Sequence, residues 1–186
     1  MANHATDVTI RPATEADAAA VAAIHVASWR DAYADILTAD YLNGPIEADR
    51  RAVWSERLRD ASPSQLVDIA CDPTGQGFGF VCGYRDCDPR WGSLVDNLHV
   101  LPRARGQGVG EKLLRGAAGQ FAAHGSHLGL HLWVFEANVA ALRFYQRLGG
   151  RVGERDNSHM AAAGGKPVLR VHWPSLAQLT SLAQLS

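Results

Sequence analysis

The apolar positions of the chain recur at two spacings, which divide it into strands and helices. Val8-Thr9-Ile10-Arg11-Pro12 reads as a first short strand, and Thr14-Glu15-Ala16-Asp17 as a capping-box start in which Asp17 replaces the usual Glu or Gln. Val21, Ile24 and Ser28 continue at helical spacing to about Trp29 or Tyr33, and Asn43-Gly44-Pro45 is a break. Glu47 to Arg59 is a second helix, with Val53, Trp54, Arg57 and Leu58 along one side. Gln65 to Ala70 and Gly77 to Arg85 are strands joined by the turn residues Asp72-Pro73-Thr74-Gly75, so they read as a hairpin. After Asp88-Pro89-Arg90-Trp91-Gly92, Ser93 to Leu101 is a strand with Leu94, Leu98 and Val100 on one face and Val95 and Leu101 on the other. Pro102 and a glycine-rich turn lead into a long helix in which Val109, Leu113, Ala117 and Phe121 recur every fourth residue, with Leu114 and Ala118 beside them. Leu128 to Phe135 is apolar on both faces, as a central strand should be. Asn138 to Leu148 is a helix ended by Gly149-Gly150, and Val168 to Trp173 is the last strand. The tail repeats Ser-Leu-Ala-Gln-Leu at Ser175–Leu179 and Ser181–Leu185, one short helix or a frayed end.

This order predicts an α/β or α+β domain around a mixed sheet. The 186 residues suit one domain. Its expected extent is 1–173, with 174–186 as a short C-terminal tail. The chain is 47% hydrophobic and 20% charged, ordinary for a globular protein, and its formal net charge of -1 gives no global basic field for nucleic acid. The three cysteines, Cys71, Cys82 and Cys87, match no zinc or thioredoxin spacing, which points to a reduced, cytoplasmic protein whose cysteines pack as small hydrophobes. The N-terminus carries no signal-peptide pattern and nowhere is an apolar run of about 18 residues reached, so no membrane partner is expected.

The most informative segment is Val100-Leu101-Pro102-Arg103-Ala104-Arg105-Gly106-Gln107-Gly108-Val109-Gly110, where a strand ends, a glycine-rich turn follows and a helix begins. Unpaired N–H groups and the positive end of the helix dipole make such a junction a phosphate site. Arg103 and Arg105 add charge. A P-loop fails here because Glu111 stands where its second glycine belongs and Lys112 is followed by Leu113. The dinucleotide fingerprint G-x-G-x-x-G fails because Glu111 again takes the place of the third glycine.

Arg105-Gly106-Gln107-Gly108-Val109-Gly110 matches R/Q-x-x-G-x-G/A and so resembles the pyrophosphate-binding signature of the Gcn5-related N-acetyltransferases. The likeness extends to Leu98-His99-Val100-x-Pro102 before the turn and Leu113-Leu114 after it. It continues in Asn138-Val139-Ala140-Ala141-Leu142-Arg143-Phe144-Tyr145-Gln146-Arg147-Leu148-Gly149, similar to the family's N-x-x-A-x-x-F-Y-x-x-x-G segment. Arg11-Pro12-Ala13-Thr14 and Ser28-Trp29-Arg30-x-x-Tyr33 also resemble it. One departure is Gly150, where the family often has Phe, so weaker packing is expected at that corner.

The resemblance implies a mostly antiparallel sheet flanked by helices, with the fourth and fifth strands splayed around acetyl-CoA, which would be the cosubstrate. The CoA pyrophosphate would lie on the turn from Arg103 through Arg105, Gly106, Gln107, Gly108, Val109 and Gly110. The pantetheine arm would meet backbone groups at Leu98 and Val100, and Asn138 would contact it from the next strand's end. Tyr145 would be the general acid on the leaving thiolate. A phenol of pKa near 10 beside a thiol of pKa near 8.5 fits that role. The attacking amine must be neutral, and Asp96 is the candidate base. Simple alternation places it with Leu94, Leu98 and Val100 on an apolar face and its rival His99 on the opposite one. Trp29, Tyr33 and Asp35 fall where the family's first helices border the acceptor pocket, and would grip an amine by cation–π contact and charge. A helix-packing role for them is equally open. His124, His127 and His131 are close in sequence but fall on a helix end and a strand, so no metal is expected.

The resemblance therefore implies an N-acetyltransferase acting on a primary amine of a small molecule or peptide, by direct attack in a ternary complex. Two rivals stand beside it: a non-catalytic acyl-CoA sensor on the same fold, and a nucleotide or nucleic-acid module using Arg103 and Arg105. The acceptor is open among polyamines, amino acids, aminoglycoside-like drugs and peptide or protein amines. A homodimer is compatible with the family and the apolar tail. The segment Asp156 to Gly165 reads as a loop near the acceptor side.

Overall fold

The period-two segments pair into one seven-stranded sheet of order β1-β2-β3-β4-β5-β7-β6. A computed structural model of the chain describes residues 8–181. The strands are β1 (Thr9–Pro12), β2 (Gln65–Cys71), β3 (Gly77–Asp88), β4 (Gly92–Val100), β5 (Leu130–Phe135), β6 (Arg151–Asn157) and β7 (Pro167–Trp173). The α-helices are α1 (Ala18–Ala32), α2 (Ala39–Asn43), α3 (Ile46–Arg59), α4 (Val109–Ala123), α5 (Val139–Arg147) and α6 (Ala177–Thr180). The β4–β5 pair is parallel and every other pair is antiparallel.

The helices bury their apolar stripes on the two faces. On α4 the fourfold recurrence becomes a buried row of Val109, Leu113, Leu114, Ala117, Ala118 and Phe121, packed with Val81, Val95 and Leu132. On the other face Ala18, Val21, Ala22 and Ile24 of α1 and Trp54 of α3 pack on Ile69, Phe80 and Cys82. At the start of α1 the Asp17 carboxylate accepts from the Thr14 N–H (2.8 Å) and Thr14 hydroxyl (3.1 Å) and pairs with Arg11 (2.8 Å). The Arg11 bond, the largest cause, holds Asp17 far below the usual carboxylate range.

Several details depart from the pattern reading. β6 is an additional strand where no strand is predicted, and it runs into the segment read as a loop from Asp156. α2 is a further short helix that runs up to the predicted break at Asn43-Gly44-Pro45. Cys71 and Cys82 are buried as expected of small hydrophobes, but Cys87 is exposed. The expected weakness at Gly150 is absent: fully buried Trp173 fills that corner and donates to the Leu148 carbonyl (2.8 Å). A Cβ on Gly150 would lie 2.7 Å from Val171 Cγ1 and 2.8 Å from Trp173 Cζ2, so the backbone approach there needs glycine. In the tail, Leu176 and Leu179 are buried in the α4-side core. The second repeat unit beyond Ser181 lies outside the described residues. Among the described residues, no helix is long and apolar enough to cross a membrane.

Candidate active site

β4 and β5 are in register only at Ser93–Leu130 and Leu94–His131, and then diverge. The gap leaves one edge of β4 without a strand partner. Leu101 N–H donates to the Phe78 carbonyl of β3 (2.9 Å), so alternation turns the backbone of 97 and 99 toward β3 and that of Leu98 and Val100 toward the gap. Arg105 Nε already donates to the Val100 carbonyl (3.1 Å). A cavity of about 850 Å³ opens in this gap.

The turn at the end of β4 forms one rim. Gly106 (φ 75°) and Gly108 (φ 76°) are left-handed, and Gly108 directly precedes the first residue of α4. Among the described residues, no protein acceptor takes the N–H of Gly106, Gln107, Gly108, Val109, Gly110 or Glu111. A row of free donors at a helix N-terminus is a site for a phosphate-class anion. Arg105, Gly106, Gly108, Val109 and Gly110 line the cavity, while Arg103 and Gln107 do not. Gln107 instead donates to the Arg103 carbonyl (3.2 Å), and Arg105 is paired with Asp31 of α1.

α5 supplies the opposite wall. Asn138 is its N-cap, accepting from the Ala141 N–H (3.2 Å), and it also lines the cavity. Tyr145 is 8% exposed and lines the cavity too, its ring set against Phe144 (5.1 Å) and Trp173 (6.1 Å). Burial, and secondarily the neighbouring Tyr33, push its phenol pKa well above the ordinary value. Burial likewise raises Tyr33, with the Asn138 side chain opposing. Trp29 and Tyr33 line the cavity, but Asp35 does not: it is exposed beyond α1, where its carbonyl accepts from Lys166 Nζ (2.6 Å).

Asp96 is not where simple alternation puts it. Cys82 pairs with Asn97 and Gly83 with Val95, so Asp96 is the extra residue of a β-bulge. The bulge reverses the alternation. Val95, Leu98 and Val100 share the α4 face, whereas Asp96 reaches α3, where its carboxylate is 2.6 Å from Arg57 and 33% exposed. The apolar surroundings expected for it are therefore absent. His99 lines the same cavity, buried, with Nδ1 3.1 Å from Ser28 Oγ and its ring stacked on His25 at 4.5 Å. Burial pushes His99 down to about 3.

Two cavity residues escape the pattern reading, Arg50 and Arg57 of α3. Arg57 stood out only as one side of an amphipathic helix. The signal for a site was its spacing from Arg50, two turns along one helix face. Ser158 and Met160, from the segment expected near the acceptor side, line the cavity as well. His124 lies just past α4 and His131 is buried in β5, and no metal-sized cluster of His, Cys, Asp or Glu forms among the described residues.

Residues 26–150 match the acetyltransferase (GNAT) family model. The chain is 30% identical over 177 residues to an uncharacterized N-acetyltransferase, YuaI, of Bacillus subtilis, covering 94% of this chain and 98% of that one. Its fold resembles the PaiA N-acetyltransferase of Thermoplasma acidophilum in complex with coenzyme A, with TM-score 0.73 at 18% identity over 90% of this chain and 99% of that one. It also resembles a Gcn5-related N-acetyltransferase structure from Rhodopseudomonas palustris, with TM-score 0.69 at 26% identity over 89% and 94% of the two chains. Family match, near-full-length relative and splayed sheet agree: this chain belongs to the Gcn5-related N-acetyltransferase (GNAT) family.

Proposed function

We propose that the protein is a cytoplasmic, acetyl-CoA-dependent N-acetyltransferase acting on a primary amine in a ternary complex. One observation carries this reading: the free N–H row at the start of α4 and the buried Tyr145 phenol open onto a single cavity. The N–H donors of Gly106, Gly108, Val109, Gly110 and Glu111 hold the pyrophosphate, and Leu98 and Val100 orient the pantetheine arm toward the gap. Asp96 takes the proton that the acceptor's ammonium gives up, directly or through water. Its pairing with Arg57 holds the carboxylate in one place while leaving its second oxygen available. The neutral amine then attacks the acetyl carbonyl. Tyr145 donates its proton to sulfur as the C–S bond breaks, the second proton of the attacking nitrogen passes to the resulting phenolate directly or through water, and Asp96 returns its proton to solvent, so acetylated amine and free CoA–SH leave. Trp29 and Tyr33 wall the acceptor side.

The test is thiol release by the wild-type protein with acetyl-CoA and a broad amine panel. Amine-dependent release together with acetylated product is the expected result. Tight acetyl-CoA binding with no release by any amine would favour the non-catalytic sensor.

The turn makes its own prediction. Gly108→Val puts a β-branched side chain at φ 76°, although the space beside Gly108 is open. Left-handed backbone costs a residue with Cβ about 1–2 kcal/mol, and rotating out of it misaligns the N–H row. Calorimetry should show acetyl-CoA affinity reduced by about tenfold or more, with a melting shift of only a few degrees. Unchanged affinity would remove the turn from the site.

A further inference from the structure

We propose that the acceptor is a small amino-acid-like zwitterion, whose carboxylate is held by Arg50 with Arg57 beside it; this rests on the transferase reading above. Arg50 and Arg57 stand two turns apart on one face of α3, and both line the cavity on the side where Asp96 and Trp29 lie. Each guanidinium is fixed. Arg50 Cζ sits 5.0 Å over the Trp29 ring and Nη2 donates to Asp49 (2.9 Å). Arg57 Nη1 donates to Asp96 (2.6 Å) and Asn97 (3.1 Å), and its Cζ lies 5.3 Å from the Trp54 ring centre.

These contacts leave donors unused. Among the described residues, Arg50 Nε is buried with no hydrogen-bond partner and out of a ligand's reach, whereas Nη1 makes no hydrogen bond and is not fully buried, so the outer end of the fork is the part a carboxylate would meet. A bidentate carboxylate suits the planar fork, and two guanidiniums already locked by stacking and ion pairs lose little freedom on binding it.

Charge balance narrows the acceptor further. Arg50 and Arg57 are offset by Asp49 and Asp96, so this part of the cavity is near neutral but strongly divided. A polyamine finds no net attraction and meets two fixed cations. A zwitterion places its carboxylate on the unused Arg50 donors and its ammonium toward Asp96, the group assigned to deprotonate it. The same contacts then set both affinity and the direction from which the amine attacks.

The experiment compares each amino acid with its decarboxylated amine, leucine with isoamylamine, phenylalanine with phenethylamine and ornithine with putrescine, each with saturating acetyl-CoA and with kcat/KM referred to the concentration of free amine, because the carboxylate also lowers the pKa of its neighbouring amine. For at least one pair the amino acid should exceed its decarboxylated partner by about tenfold or more in kcat/KM. Arg50→Met keeps an apolar stem against Trp29 and removes the donors. It should lower kcat/KM for the amino acid by about 10–100-fold, mostly through KM, and bring the pair's ratio close to one. Arg50→Lys, which keeps charge but loses the fork, should fall between. The ratio is internal to each preparation, so a partly folded variant does not distort it, and the wild-type ratio stands without any variant. Equal or better use of the decarboxylated amines overturns the proposal alone, as does an Arg50→Met enzyme with the wild-type ratio. If acetyl-CoA binds and none of these acceptors is acetylated while the broad amine panel gives release, the proposal fails alone; if that panel also gives no release, the transferase reading fails and the proposal with it.

Discussion

Tyr145→Phe should lower kcat by about 10²–10³-fold while acetyl-CoA affinity stays within about twofold of wild type. The substitution removes one oxygen from a ring held by packing: Phe144 and Trp173 stand edge-on to it at 5.1 and 6.1 Å, and Tyr145 forms part of the buried core on the α4 side. A phenylalanine ring fills the same place, so neither fold nor cofactor site should change. What disappears is the proton available to the departing sulfur. Burial keeps the phenol protonated well beyond its ordinary titration range, with Tyr33 reinforcing the effect. The acid is therefore charged with its proton at every working pH, and a more alkaline buffer should not inactivate the wild type by ionising it. For alkyl amine acceptors, kcat/KM should keep rising as pH increases through the range in which the free amine fraction grows. Steady-state kinetics on the variant decides. A rate within about threefold of wild type would make Tyr145 a packing residue and leave thiolate departure to water.

How far the residues announced this arrangement differs from element to element. α4 could be placed because six apolar side chains recur on one stripe and all are buried. Its turn could be placed because Gly106 and Gly108 occupy backbone conformations that other residues resist. β6 left no such trace. Its side chains are mostly exposed and charged, it pairs only with β7, and Glu154 and Arg155 are tied to Arg90, Arg170 and Glu136 rather than to a core. Charges of that kind suit an edge strand and erase the period-two signal. Asp96 failed for another reason: alternation presumes an unbroken ladder, and a single inserted residue moved it from the face of Leu98 to that of His99. Arg50 showed in the sequence only as a cation two turns before Arg57 on one helix face, because the rest of its surroundings come from α1 and β4, which only the fold brings together. Asp35 was legible as a neighbour of Tyr33 but not as a residue beyond the end of α1, where the chain turns its side chain away from the cavity lining.

Lowering the pH from 6.5 to 4.5 should destabilise the protein by about 2–3 kcal/mol through His99 alone. That is a large share of the about 5–15 kcal/mol that holds a domain folded. His99 and His25 lie stacked under α1, both buried. Trp54 Nε1 donates to His25 Nδ1 (2.9 Å), so the His25 proton sits on Nε2, where no acceptor meets it. A second proton on either ring would be a charge without a partner, next to Arg105 and Arg50 for His99 and next to Arg50 and Arg57 for His25. Burial first, then these cations, lowers both pKa values, His99 to about 3 and His25 well below its ordinary value. The sign follows directly. The unfolded chain takes up these protons below about pH 6.5, the folded chain does not, and stability present above that pH is lost as pH falls toward the folded values. Ion pairs such as Arg11–Asp17 act in a separate window, because Asp17 gains a proton in the unfolded chain only near its ordinary value of 3.8. Urea unfolding at pH 7.5, 6.5, 5.5 and 4.5 would resolve the imidazole window, each pH unit below 6.5 costing about 1.4 kcal/mol for each histidine that stays neutral when folded. His99→Asn should remove one proton from that slope even if it lowers stability at pH 7.5. A curve flat from 7.5 to 4.5 would mean that the stacked pair is reached by water or by a counter-ion, and that the acceptor side of the cavity is open down to His25.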